Sequence, residues 1–112
     1  MHDIHMYTIH MITYGFITFE WDDRKAEANY KKHEVSFKEA STIFYDPHAL
    51  VIDDDAHSHN ENRFIIVGVS SVARVLTVCH CYKETNERIR IISARKATKN
   101  EENEYWRHRH ES

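Results

Sequence analysis

The period of the hydrophobic pattern changes several times along this chain, and each change marks an element. Residues 1–15, M-H-D-I-H-M-Y-T-I-H-M-I-T-Y-G, mix β-branched and aromatic side chains with no sustained period and read as an N-terminal extension. A compact domain, 16–112, then begins with the short apolar-rich strand F-I-T-F-E-W at 16–21. Asp22 or Asp23 caps a helix to about His33, favoured by Ala26, Ala28 and the Lys/Glu content. Ser36 and Glu39 have capping-box spacing, so a second helix runs to about Tyr45 and stops before Asp46-Pro47.

After Pro47 the period becomes that of strands. Residues 49–52 are an apolar run emptying into Asp53, Asp54 and Asp55 and a polar loop at 57–62. Three β-rich segments follow at 63–69, 74–82 and 88–95. Their connectors, 70–73 and 83–87, fit hairpins and are too short for parallel crossovers, so the sheet is expected to be antiparallel. Thr98 and Glu101 form a second capping box, opening a C-terminal helix that contains Tyr105 and Trp106. The expectation is an α+β fold in the order β-α-α-β-β-β-β-α, without internal repeats.

Length and composition narrow the class. The 112 residues suit one domain, and 41% hydrophobic and 29% charged residues with two glycines and one proline exclude collagen-like and low-complexity chains. No apolar run approaches the ~18 residues of a membrane span, and the start lacks the basic and apolar regions of a signal peptide, so a cytoplasmic protein is expected. Cys79 and Cys81, one residue apart, are too close to staple anything and read as reduced thiols. The net charge of −3 argues against an anionic partner only until it is divided along the chain. Residues 1–62 carry 5 Lys/Arg against 12 Asp/Glu, whereas residues 88–112 carry 7 against 4. Such asymmetry allows an anionic ligand on one face.

The segments W-D-D-R-K-A-E-A-N-Y-K-K-H-E-V-S-F-K-E-A (21–40), D-P (46–47), E-N-R-F-I-I-V-G-V-S (61–70) and R-I-R-I-I-S-A-R-K-A (88–97) occur in this order. Together they resemble the BrnT toxins of bacterial type II toxin-antitoxin systems, over about residues 16 to 106. The resemblance implies a RelE-like fold and a ribonuclease that stops translation. It also implies neutralisation by a BrnA antitoxin with a ribbon-helix-helix DNA-binding domain, and no cofactor. Glu34 departs from the pattern, since the family commonly has Gly there, as suits a left-handed helix C-terminus.

Metal-free RNA cleavage needs a base near the 2′-hydroxyl and cations for the charge developing on phosphorus. Arginine suits the second role through its planar, permanently charged fork. If one hairpin pairs Val69 with Arg74 and the next pairs Tyr82 with Arg88, then Arg63, His80 and Arg90 fall in one row across three strands, neighbours about 5 Å apart. They are the candidate catalytic residues, with His80 as base, and a one-residue slip destroys the row. By strand alternation Arg95 faces away from Arg90; it either contacts RNA or anchors the sheet to a helix or the antitoxin. Lys25, Asn29 and Lys32/His33 share one helical stripe, and Lys25 matches a family motif position. That stripe either reaches RNA phosphates or is a solvated face. Glu84 and Glu87 sit at a hairpin tip and either supply a base or are solvated turn residues. No metal site is expected: His57 and His59 fit no standard zinc spacing, and Cys79-His80-Cys81 alternates faces on a strand. The reading that competes with an endoribonuclease is a catalytically inactive relative, acting only within a DNA-binding toxin-antitoxin repressor.

Overall fold

The computed structural model describes residues 9–53, 63–83 and 85–111. Local signals hold where they are strongest. The Asp22 carboxylate accepts from the Arg24 and Lys25 amides at 2.8 and 3.3 Å and starts α1, Asp23–His33. Glu34 ends it at φ 59°, ψ 34°, donating its N–H to the Tyr30 carbonyl at 2.8 Å, so the left-handed position is occupied by Glu. Ser36 Oγ accepts from the Glu39 amide at 3.0 Å and opens α2, Phe37–Thr42, which tightens into a 3-10 turn, Ile43–Tyr45. At the other end Thr98 and Glu101 cap each other reciprocally, at 2.9 and 3.2 Å, and begin α3, Lys99–Glu111.

The sheet has six strands: β1 (Ile9–Tyr14), β2 (Ile17–Asp22), β3 (Leu50–Asp53), β4 (Arg63–Val69), β5 (Val75–Lys83) and β6 (Thr85–Lys96). They lie in the order β1-β2-β6-β5-β4-β3. Two features depart from the expected antiparallel β-α-α-β-β-β-β-α arrangement. Two strands, not one, precede the helices: residues 9–14 of the expected extension pair with β2 at six positions, from Ile9↔Asp22 to Tyr14↔Ile17. In addition, β2 pairs parallel to β6, from Thr18↔Arg88 to Glu20↔Arg90, making the sheet mixed. The segment between them, with α1 and α2, supplies the long connection that a parallel pair requires.

One face of the sheet packs against α1 and α2. Phe19, Trp21, Ile66, Leu76, Val78, Ile89, Ile91 and Ala94 meet Val35, Phe37, Ala40 and Ile43 there. Full burial of each large side chain contributes roughly 1.5–3 kcal/mol. Gly68 lets this layer pack closely, because a Cβ on it would meet Ala49, Asp46 and Ile43 at a tight 3.2–3.3 Å. The opposite face is only partly covered. α3 crosses it at the β3–β4 end, where Asn100, Glu101 and Glu104 line a groove with Leu50, Ile52 and Val67. Buried Tyr105 ties α3 down by donating its hydroxyl to Asp46, which also accepts the Val69 amide at 2.9 Å. The rest of that face is open.

Candidate active site

The open face is defined by two small backbone irregularities. In the first hairpin Val69 pairs with Val75, not Arg74. The turn over 70–73 is closed by the Ala73 amide on the Ser70 carbonyl at 2.9 Å, and Ala73 takes a left-handed φ of 64°. This geometry adds a residue to the loop and moves the register by one. Arg63 therefore faces Cys81, and Phe64 faces His80. In the second hairpin Tyr82 pairs with Ile89, so Cys81, not His80, faces Arg90. The expected row of Arg63, His80 and Arg90 is corrected to Arg63, Cys81 and Arg90, continuing through Glu20 of β2.

The second irregularity lies further along β6. Cys79 pairs with Ser93 whereas His80 pairs with Ile91, leaving Ile92 as a bulge. The extra residue reverses the alternation, so Ser93 and Arg95 share the face of Arg90 while Ile91 and Ala94 stay in the core. The expectation that Arg95 and Arg90 face apart is thereby corrected. Arg63, Ile65, Thr77, Cys79, Ile92, Ser93 and Arg95 line a cleft of about 280 Å³.

Within this cleft Arg95 is also an anchor. It grips Glu101 of α3 with two N–H groups at 2.8 and 3.0 Å, and Thr77 Oγ1 donates to the same carboxylate at 2.8 Å. The Arg95 hydrogen bonds hold the Glu101 carboxyl down at about 2, against the cost of its burial. Arg95 also borders a second cleft, of about 440 Å³, with Lys32, His33, Glu34, Lys96 and Thr98. Basic side chains from α1 and β6 thus extend the cationic surface past the first cleft. Lys25 is exposed near the start of α1 and lines neither cleft.

His80 is not brought to the arginines. It is fully buried on the helix side, edge-on to Phe44 at 4.8 Å and beside Phe64 and Tyr82. Neither ring nitrogen has a partner at hydrogen-bonding geometry. Burial pushes its pKa down to about 4, only partly offset by the nearby Val78 peptide, so at neutral pH it is an uncharged core residue.

Three residues escaped the sequence reading. Glu20, 5% exposed, accepts Arg90 Nε at 2.7 Å. Its signal was present in F-I-T-F-E-W, where a carboxylate between Phe19 and Trp21 must face away from the core they build. Glu39 and Arg74 form the other clamp, with Arg74 Nε donating at 3.0 Å and Ser70 Oγ at 2.7 Å to Glu39 Oε2. Neither Cys79 nor Cys81 forms a disulfide. Among the described residues no group of His, Cys, Asp and Glu is placed to hold a metal ion, and no helix is long and apolar enough to cross a membrane. His57, His59 and Glu84 lie outside the described residues.

The chain is a small α+β domain with α1 and α2 on one face of a mixed sheet, and α3 and a set of arginines on the other. Residues 21–101 match the family model described as ribonuclease toxin, BrnT, of type II toxin-antitoxin system, and the chain belongs to that family. No relative was found among curated proteins.

Proposed function

We propose that this protein is a metal-independent endoribonuclease that acts on RNA in the cytoplasm, inhibits translation, and is held inactive by a BrnA-like ribbon-helix-helix antitoxin. The observation that carries this reading is the convergence of Arg63, Arg90 and Arg95 on the uncovered sheet face. Arg63 and Arg90 flank one position, that of Cys81, so their side chains can approach a single phosphodiester from two sides. In such a site the guanidinium groups stabilise the extra charge on the phosphorane and require no reorganisation as it develops. Arg95, Lys96 and Lys32 border the neighbouring cleft and suit the flanking phosphates, while Lys25 serves as a more distant contact.

The antitoxin is expected to lay an acidic segment over this same face, since the surface that attracts RNA also attracts carboxylates. Its affinity then falls as salt rises, and bound toxin does not cleave. The deciding experiment incubates purified protein with naked RNA, and separately with a translating extract, in the presence of EDTA and maps the new ends. Persistent cleavage leaving 2′,3′-cyclic phosphate and 5′-hydroxyl termini supports the reading. Intact RNA in both settings overturns it.

A further inference from the structure

The arginine row contains a carboxylate with an acceptor position to spare. Glu20 lies beside Arg90 in register on one side and beside Met11 on the other, and its side chain is 6% exposed. The charged groups facing it come from β6. Arg90 makes both of its contacts to Oε2, through Nε at 2.7 Å and Nη2 at 2.6 Å. Among the described residues, the nearest cation to Oε1 is Arg88 Nε at 3.6 Å, beyond hydrogen-bonding distance.

From this geometry we infer that Glu20 is the general base of RNA cleavage, an assignment that rests on the ribonuclease reading above. One other described carboxylate, Glu101 of α3, bonds the cleft residues Arg95 and Thr77, and it is saturated. Its Oε1 accepts from Thr77, Arg95 and the Thr98 amide, and its Oε2 from Arg95. His80, the only imidazole in these central strands, is sealed on the opposite face. Among the described residues, Glu20 combines a position in the arginine row with an oxygen that no donor reaches at hydrogen-bonding distance.

In the proposed step Arg88 exchanges its loose contact with Oε1 for a phosphate oxygen as RNA enters. Oε1 then takes the proton of the 2′-hydroxyl, the 2′-oxygen bonds to phosphorus, and the bond from phosphorus to the 5′-oxygen breaks. The departing oxygen takes a proton from water, and Glu20 returns its own to solvent. Nothing is oxidised or reduced, and the products are a 2′,3′-cyclic phosphate and a 5′-hydroxyl. Arg90 retains N–H groups beyond the two that hold Glu20, so it can orient the base and contact the phosphate at once.

The test compares the parent with Glu20→Gln, Glu20→Ala and Glu20→Asp, on naked RNA and in a translating extract. The amide oxygen of Gln still accepts from Arg90 but cannot take the proton. Glu20→Gln is therefore expected to lower kcat by about 10²–10⁴-fold with little change in KM. It should still bind an RNA carrying 2′-deoxyribose at the cleaved position, which also certifies its fold. Glu20→Asp, which keeps a carboxylate, should be faster than Glu20→Gln. A Glu20→Gln protein as active as the parent overturns the assignment, and paired with an inactive Glu20→Ala it makes Glu20 a positioning residue for Arg90. Glu20→Asp slower than Glu20→Gln overturns it as well. A parent inert in both settings overturns the ribonuclease reading itself, which separates the two failures.

Discussion

The side chain of Asn29 and the peptide of Ala94 form a two-way hydrogen-bonded pair: Oδ1 accepts the Ala94 N–H at 3.1 Å and Nδ2 donates to the Ala94 carbonyl at 2.8 Å. β2 stops pairing with β6 at Arg90, so further along that edge the amide of α1 stands in for a strand. The same Nδ2 reaches the Val35 carbonyl at 3.1 Å and so also ties down the α1–α2 connection. Asn29→Leu leaves three buried backbone groups without this partner. At about 1–3 kcal/mol for each unmet group, the loss should be 3 kcal/mol or more, read as a lower urea midpoint. A loss below about 1 kcal/mol would show that the pair is incidental.

Glu34 occupies a left-handed conformation with no intrinsic preference for it. Glu34→Gly should remove that strain and stabilise the protein by about 1 kcal/mol, raising Tm by roughly 4 °C. The gain is read in Tm alone, because Glu34 also lines the second cleft and its loss removes a negative charge there. An unchanged or lower Tm counts against the account.

His80 makes stability depend on pH. The unfolded imidazole takes up a proton as pH falls below its ordinary value of 6.5, whereas the folded one resists until about pH 4. The unfolded state therefore binds more protons across this window, and stability should drop by on the order of 3 kcal/mol from pH 6.5 to 4. Glu101 adds a second loss, from its ordinary 4.5 down to about 2. His80→Phe suits the surrounding aromatic rings and should flatten the first window while leaving cleavage intact. A fully inactive but folded His80→Phe would restore the imidazole to the chemistry.

Removing residues 1–15 takes away β1 and its six pairings with β2. The edge of β2 and the flank of Trp21, on which His10 stacks at 4.9 Å, then face water. Exposed strand edges recruit other chains, so the truncated protein should aggregate or purify in low yield. A soluble truncated monomer of parental Tm would mean that β1 contributes little.

Arg63→Ala and Arg90→Ala should each reduce cleavage by on the order of 10²–10³-fold and weaken antitoxin capture without abolishing it. Arg63→Ala should keep Tm near parental, whereas Arg90→Ala should lower it, because the buried Glu20 carboxylate loses its partner. The double variant should lose less than the product of the two, because groups that act on one phosphate fail together. Arg95→Ala should also lower Tm, since Glu101 and α3 lose their clamp. Parental cleavage by both single variants would place the chemistry elsewhere.

Much of this architecture was legible wherever one residue acts on its immediate neighbours. Asp22, Ser36 and Thr98 announce helix starts because their oxygens serve amides two or three residues away. Register was not legible, because it depends on turn geometry carried by residues without the usual marks. Ala73 adopts a conformation that Gly or Asn normally signals, and the bulge at Ile92 falls beside a second isoleucine with no Gly or Pro to mark it. The parallel pairing of β2 with β6 joins segments far apart in sequence, and nothing local encodes it. Hence Arg63 and Arg90 could be picked out as candidates, while the residue between them could not.

The bulge in β6 also governs how relatives are to be compared. Arg90 and Arg95 are separated by an odd interval, which on a straight strand puts two side chains on opposite faces. Here one additional residue reconciles that interval with a shared face. A homologue that lacks a residue at the position of Ile92 would still present both arginines together, on an unbroken strand. Parity of spacing, rather than residue-by-residue identity along β6, is therefore the character to follow when tracing this surface through the family.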